Sequence, residues 1–358
     1  MATFFTFKAV KGESRIWWYL TGLSLGLGLL SKYTMILFAF CVLLFLVSSA
    51  EGRKWLFRKE PYLAFVLGLL IFSPVVAWNA GHQWISFRMQ LAHGLGPKEA
   101  AGLINFAGYW GGQALLLSPF VFLAIVWALV ISAVHGFRRH QSHLLLLFWT
   151  SAPVILFFAL TSLRSKVEAN WPALAYFSAV VAFTGLASEA WPAWKKVKRG
   201  LFWAVVVNAL LFTILGYLQP LYPLIPIAPQ KDPTSQLYGW GILGNQIQEV
   251  ARIMGPEKEI FLLTPRHQLV GEGMFYTRGE FRVYQWDAPS RINNLSPANQ
   301  PAIGSRAIFF TEEGDDLPQG LEPLFASCVK QETVIIKRDG FPIRTHPLWI
   351  CEGYKGMQ

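Results

Sequence analysis

Long apolar runs alternate with short polar gaps through the first 220 residues; beyond them the apolar stretches become short and evenly interrupted. Runs at 16–48, 61–78, 106–134, 144–161, 171–186 and 201–218 have the length and composition of membrane-spanning helices. The first is too long for one span. As a helix it would extend about 50 Å, against a hydrocarbon core of about 30 Å. Ser31-Lys32-Tyr33-Thr34 interrupts it, so the run reads as two short spans joined by a tight turn at Lys32, giving about seven in all. In the fourth run, Gly111-Gly112 and Ser118-Pro119 predict a kink or a re-entrant start.

Charge gives the array a direction. The gaps at one side of this zigzag hold 13 Lys and Arg (Lys8, Lys11, Arg15, then the clusters at 53–59, 138–139 and 195–199). Those at the other hold Lys32, Arg88, Lys98, Arg164 and Lys166. Cytoplasmic loops of membrane proteins carry the excess of Lys and Arg, so the predicted N-terminus is cytoplasmic and the tail is outside. The net charge of +10 therefore reflects topology, and a nucleic-acid partner is not expected. Residues 1–10 form a short apolar stub without the marks of a cleavable signal, and read as the end of a helix.

The expected organisation is a transmembrane helical region at 1–218, a Pro-rich linker at 219–238 and an extracytoplasmic α/β domain at 239–358. In the tail, helices are predicted at 239–254 and 267–276. Strands are predicted at 259–264, 281–285, 307–311, 333–337 and 348–351. Cys328 and Cys351 form a disulfide if the tail faces an oxidising compartment, and otherwise stay as two partly buried thiols.

Candidate chemistry gathers in the outward loops. The stretch 162–172 places Arg164, Lys166, Glu168, Asn170 and Trp171 at a membrane boundary. Arg164 and Lys166 suit a phosphate at headgroup level, a planar fork beside a point charge. Lys32 is on the same face and has few structural uses between two spans. His82 and Arg88 lie in an aromatic-rich loop that reads as an interfacial helix and are candidates for ligand contact. The His residues are scattered without paired spacing, so no metal site and no cofactor are expected. Glycines at 22, 26 and 28 read as small-residue helix packing. The first Asp of the chain is Asp232, and the only outward carboxylates of the membrane region are Glu99 and Glu168.

Three stretches carry a family likeness: Gly22 through Thr34 (GLSLGLGLLSKYT), Phe72 through Asn79 (FSPVVAWN) with Trp84 and Phe87 after it, and Leu163 through Pro172. In the tail, Asp232 through Trp240 (DPTSQLYGW) and Gly271 through Tyr276 (GEGMFY) add to it. In order and spacing the chain resembles the polyprenyl-phosphate-sugar-dependent membrane glycosyltransferases, the group of protein O-mannosyltransferases and of lipid A aminoarabinose and galacturonic acid transferases (family 39 type).

The resemblance implies a GT-C-like, mainly α, multi-spanning bundle with a C-terminal soluble α/β domain, in a bacterial inner membrane. It implies an enzyme that moves a sugar from a polyprenyl-phosphate donor to a lipid, glycan or protein acceptor on the outer face. Lys32, Arg164 and Lys166 then fall where the donor phosphate is held, and Tyr33, His82, Arg88, Asn170 and Trp171 where substrate is contacted. The family's catalytic Asp sits in a first outside loop that this chain does not match, so the chain reads as N-terminally truncated; Glu168 is a weak substitute. The alternative is a non-catalytic lipid-glycan-binding protein, a transporter or a degenerate pseudo-enzyme.

Overall fold

The computed structural model describes residues 1–95, 102–255, 259–286, 295–296, 298–312 and 316–357. The expected Lys98 and Glu99 lie outside these. Two compact units divide the chain, Met1–Thr213 and Ile214–Gln358.

The first unit is helical: α1 (Ala2–Val10), α2 (Ile16–Ser31), α3 (Ile36–Ser48), α4 (Ala50–Arg53), α5 (Glu60–Gly81), α6 (Ile85–Leu95), α7 (Gly102–Leu117), α8 (Pro119–Arg138), α9 (Ser142–Trp149), α10 (Ala152–Ser162), α11 (Ala173–Ala190) and α12 (Lys196–Leu218). Among the described residues, five stretches are long and apolar enough to cross a membrane: Glu60–Gly81, Pro119–Arg138, Ser142–Ser162, Ala173–Ala193 and Lys196–Leu218. A sixth is Tyr33–Ser48 with Ala50–Phe57, bent by 99°. The helix α2 is apolar but has only 16 residues. The split of the first run at Lys32 is therefore as the pattern predicts.

The fourth run breaks at one of its two expected points. Its helix runs unbroken through Gly111-Gly112 and breaks at Ser118, which is buried with φ 70°. Proline removes an N–H and disfavours helical geometry in the residue before it, so Pro119 ends α7 and starts α8.

The pairing of α2 with α5 organises this unit. A Cβ on Gly22 would stand 2.2 Å from the Ala64 carbonyl oxygen, and one on Gly26 would stand 2.6 Å from the Ile71 Cβ. The two helices thus run parallel with backbones in near contact. At their starting end Arg15 meets Glu60 (3.3 Å) and Lys11 meets Glu51 (3.8 Å). Ser142 donates to Glu51 (2.6 Å), and His143 faces Glu189 (3.8 Å). These contacts bring the four basic clusters to one end, as the zigzag requires.

In the second unit, α13 (Trp240–Met254), β1 (Ile260–Thr264), α14 (His267–Tyr276), β2 (Arg282–Gln285), β3 (Arg306–Phe310), β4 (Ser327–Lys330), β5 (Val334–Arg338), β6 (Phe341–His346) and β7 (Leu348–Glu352) follow in order. The sheet order is β2-β1-β3-β7-β4; β1 pairs parallel with β2 and β3, and β7 runs antiparallel between β3 and β4. Leu262, Ile308 and Phe310 face α13 and α14, while Phe261, Leu263 and Phe309 fill a second core on the other face. Burial on both faces explains why these strands are continuous apolar runs. Cys328 and Cys351 are cross-strand partners and form a disulfide. The β5–β6 hairpin turns at Asp339-Gly340, both with positive φ, the chemistry of a tight hairpin turn.

Candidate functional site

The end of the helical unit opposite the basic clusters is built from three segments. The first is the turn after α2. Lys32 is extended (φ −148°, ψ 128°) and its side chain is exposed, without an ion-pair partner among the described residues. Tyr33 starts a 3₁₀ turn that leads into α3. The contacts of Gly22 and Gly26 align α2 with the residues 42–45 positions later in α5. Lys32 therefore stands beside 74–77, about 6–10 Å short of the end of α5 at 1.5 Å per residue.

The second segment is the corner from α5 to α6. Asn79 is fully buried and organises it. Its Nδ2 donates to Val75 O (2.9 Å), its Oδ1 accepts from Ser86 N (3.0 Å), and its carbonyl accepts from Trp84 N (2.8 Å). Gln83 and Trp84 take positive φ to make the reversal. The reversal folds α6 back so that Phe87 meets Tyr33 (5.3 Å between centroids), with Phe72 touching both (5.7 and 6.3 Å) and Trp84 stacked on Phe87 (5.9 Å). His82 stacks on Trp78 at 4.0 Å and its Nδ1 lies 2.7 Å from Trp78 O. Arg88 follows Phe87 and is exposed, with no side-chain partner among the described residues.

The third is the loop 163–172. Val167 is buried and Trp171 leans on Phe158 (6.0 Å), which pins the loop to α10. Gln113, fully buried in α7, donates to Ala169 O (3.1 Å) and accepts from the Tyr176 hydroxyl. Tyr109 anchors α7 by donating to Ile155 O (2.9 Å). Arg164, Lys166, Glu168 and Asn170 project as exposed residues from this fixed backbone. Lys166 and Glu168 face each other at 3.8 Å; Arg164 has no carboxylate partner among the described residues.

Thus Tyr33 is joined to the corner that carries His82 and Arg88, and Trp171 orders the loop that carries Arg164. No direct bond joins Lys32 to that loop among the described residues. The link is Leu37, the second residue of α3, which packs into the cluster containing Val167 and Trp171. The buried polar braces Asn79, Gln113, Tyr109 and Tyr176 have no distinguishing sequence spacing. The partners of Gln113 lie 56 and 63 residues away, so only the fold reveals them.

Two charged clusters in the second unit also escape sequence reading. Arg338 and Asp232 are a buried ion pair (3.3 Å), completed by Gln219 Nε2 to Asp232 (2.9 Å) and by Arg338 to Gln219 O. Burial alone would raise the Asp232 carboxyl, but hydrogen bonds from Gln219 and Thr234, with the Arg338 charge, outweigh it and hold the group below its usual range. Nearby, Arg344 stacks on Trp240 at 3.8 Å beside His346, which burial pushes down to about 4.

Residues 1–78 match the family model for Dolichyl-phosphate-mannose-protein mannosyltransferase. Over 288 residues the chain is 26% identical to the Lipid A galacturonosyltransferase RgtD of Rhizobium johnstonii. That match covers 78% of this chain and 54% of the relative, so the chain spans about half the length of the curated relative it matches. No solved structure matches. A helical region apolar enough to cross a membrane thus precedes a sheet-containing domain, and over part of its length the chain is similar to glycosyltransferases of the GT-C type.

Proposed function

We propose that the chain contributes the donor-phosphate site of a glycosyltransferase that transfers a sugar from a polyprenyl-phosphate carrier on the outer face of the membrane. In this reading an acceptor hydroxyl attacks the anomeric carbon, the bond to the carrier phosphate breaks, the phosphate leaves with the electron pair, and the hydroxyl proton passes to the departing phosphate or to water. Charge grows on that phosphate in the transition state, so fixed cations beside it lower the barrier. The observation that carries the reading is that Lys32 and Arg164, both without carboxylate partners among the described residues, are each held on a braced backbone at the same end of the bundle. Tyr33, His82, Arg88, Asn170 and Trp171 would contact the sugar or the first carrier units. Lys166 must exchange Glu168 for the phosphate, so it contributes less than Arg164. Glu168 itself is exposed and occupied by Lys166, a poor setting for a general base. The chemistry calls on the chain's own cations and no resident cofactor.

An inner-membrane location with a cytoplasmic N-terminus is supported by the basic clusters at one end and by the Cys328–Cys351 disulfide, which suits an oxidising compartment. The relative's name makes a lipid A-type acceptor the first to offer, ahead of other glycans and of protein. The test is sugar transfer in membranes carrying the full-length protein. Lys32→Glu and Arg164→Glu should each abolish transfer, and Lys166→Ala should reduce it less than Arg164→Ala. Unchanged transfer in both reversals would remove the phosphate assignment. Donor binding without transfer in the unmutated protein would favour a lipid-glycan-binding role.

A further inference from the structure

The opposite, basic end of the helical unit holds a second site. A cavity of about 520 Å³ opens between the start of α2 and the bend after α3, lined by Lys11, Arg15, Glu51, Lys54, Trp55 and Arg58. Its single carboxylate is already engaged, by Lys11 (3.8 Å) and by the Ser142 hydroxyl (2.6 Å). Arg15 is taken by Glu60 (3.3 Å). Lys54 and Arg58 line the cavity with no side-chain partner among the described residues. The cavity is therefore a cationic hollow with two unspent charges.

Directly beside it runs an apolar groove of about 350 Å³ between α3 and α5, floored by α2. On α3 it extends from Ile36 to Leu46, about 15 Å along the helix axis. Its basic end is closed by Trp18 and Leu56. The Trp18 ring lies 5.4 Å from that of Trp55, which lines the cationic cavity, so one indole pair divides the two hollows. The stretch Ala50–Phe57 turns 99° away from the span and lies flat there; Phe57 is 92% exposed, as an interfacial anchor would be.

We infer that this end binds one anionic glycerophospholipid, its acyl chain in the α3–α5 groove and its phosphate against Lys54 and Arg58. The charge decides the class. Basic pockets between spans on the cytoplasmic side select anionic headgroups, whereas a zwitterionic lipid brings its own cation against four others. The apolar groove separates a lipid from a free phosphate, which has nothing to place there. This site lies at the other end of the bundle from Lys32 and does not depend on the proposed transferase activity.

The experiment is native mass spectrometry of the detergent-solubilised protein with phosphatidylglycerol, phosphatidylcholine, undecaprenyl phosphate and inorganic phosphate as probes. Phosphatidylglycerol should be retained about tenfold over phosphatidylcholine. Lys54→Gln/Arg58→Gln should erase that preference, while Lys195→Gln/Lys196→Gln, which removes equal charge from the same end, should leave it. Leu43→Trp, which fills the groove without changing charge, should also weaken retention in protein that keeps its thermal transition. The inference is overturned if the two charge variants behave alike, if inorganic phosphate displaces the lipid, if Leu43→Trp has no effect, or if undecaprenyl phosphate outcompetes phosphatidylglycerol in a Lys54- and Arg58-dependent way.

Discussion

Replacing Gly22 by Ala tests the packing on which the candidate-site end of the bundle depends. The added carbon would lie 2.2, 2.8 and 2.9 Å from the O, C and Cα of Ala64, all backbone atoms of α5. No side chain can rotate away, so the helices must separate by about 1 Å to reach ordinary contact. A gap of that size forfeits roughly a quarter to a half of the dispersion energy of each facing atom pair, and overpacking of this kind costs about 1–3 kcal/mol. The helical preference for Ala over Gly returns about 0.5–1 kcal/mol. The expected net is a loss of about 1–2 kcal/mol. Gly108 is the control, because a Cβ there meets nothing within 4 Å, and Gly108→Ala should be neutral or stabilising. Unfolding of the two variants in mixed micelles, followed by Trp fluorescence, gives the difference directly. If Gly22→Ala matches Gly108→Ala within about 0.5 kcal/mol, α2 and α5 do not pack as closely as described, and the depth assigned to Lys32 fails with them.

Two further predictions concern the second unit. Asp232→Ala leaves Arg338 buried without its partner and should cost about 3–5 kcal/mol, with Asp232→Ala/Arg338→Met recovering part of the loss; equal destabilisation of the single and double variants in urea titrations would refute this. The depressed Asp232 carboxyl makes its stabilisation full at neutral pH and lost only as pH falls below the usual carboxylate range. His346 is buried with a folded pKa of about 4, so between about 6.5 and 4 the unfolded chain binds the extra proton and stability falls with pH, by at most about 1.4 kcal/mol per unit. Thermal midpoints at pH 7, 6 and 5 should drop in sequence and flatten in His346→Gln; a flat profile in the unmutated protein would disprove the neutral buried imidazole.

The parts of this fold legible in the sequence are those with a local signature. The split at Lys32, the shared end of the basic clusters and the principal tail strands all follow from runs of one character. The strands that escaped lack such a signature. In β4, Ser-Cys-Val-Lys is an edge strand with little buried side chain and no alternation to detect. In β6, Pro342 argues against a strand, and the strand survives as one half of a two-stranded hairpin opposite an irregularity at Ile336/Lys337. Glycine pairs and prolines are both breakers on paper, yet Gly111-Gly112 keeps its hydrogen bonds and stays helical while Pro119 cannot. For the candidate site, the sequence offers residues but not the geometry that would join them. Nothing near Tyr33 announces Phe87, and nothing near Arg164 announces Gln113.

The depth of Lys32 gives its assignment weight beyond charge alone. A lysine at the tip of a hairpin of full-length spans would lie at headgroup level, where snorkelling explains it without a ligand. Here α2 is short, and its parallel registry with α5 leaves Lys32 about 6–10 Å below the end of its neighbour. The returning α6 lays Phe87 on Tyr33, so the turn is overhung by aromatic rings. A cation at that depth without a carboxylate partner is costly unless a polar cavity or an anionic ligand faces it. The two glycines that let α2 and α5 touch thus set the height of Lys32, and the proposed donor assignment puts a phosphate against it there. Under that proposal, a donor whose phosphate is anchored to a polyprenyl chain in the bilayer would present its charge at that level, whereas a water-soluble nucleotide sugar would have to reach it from the aqueous side.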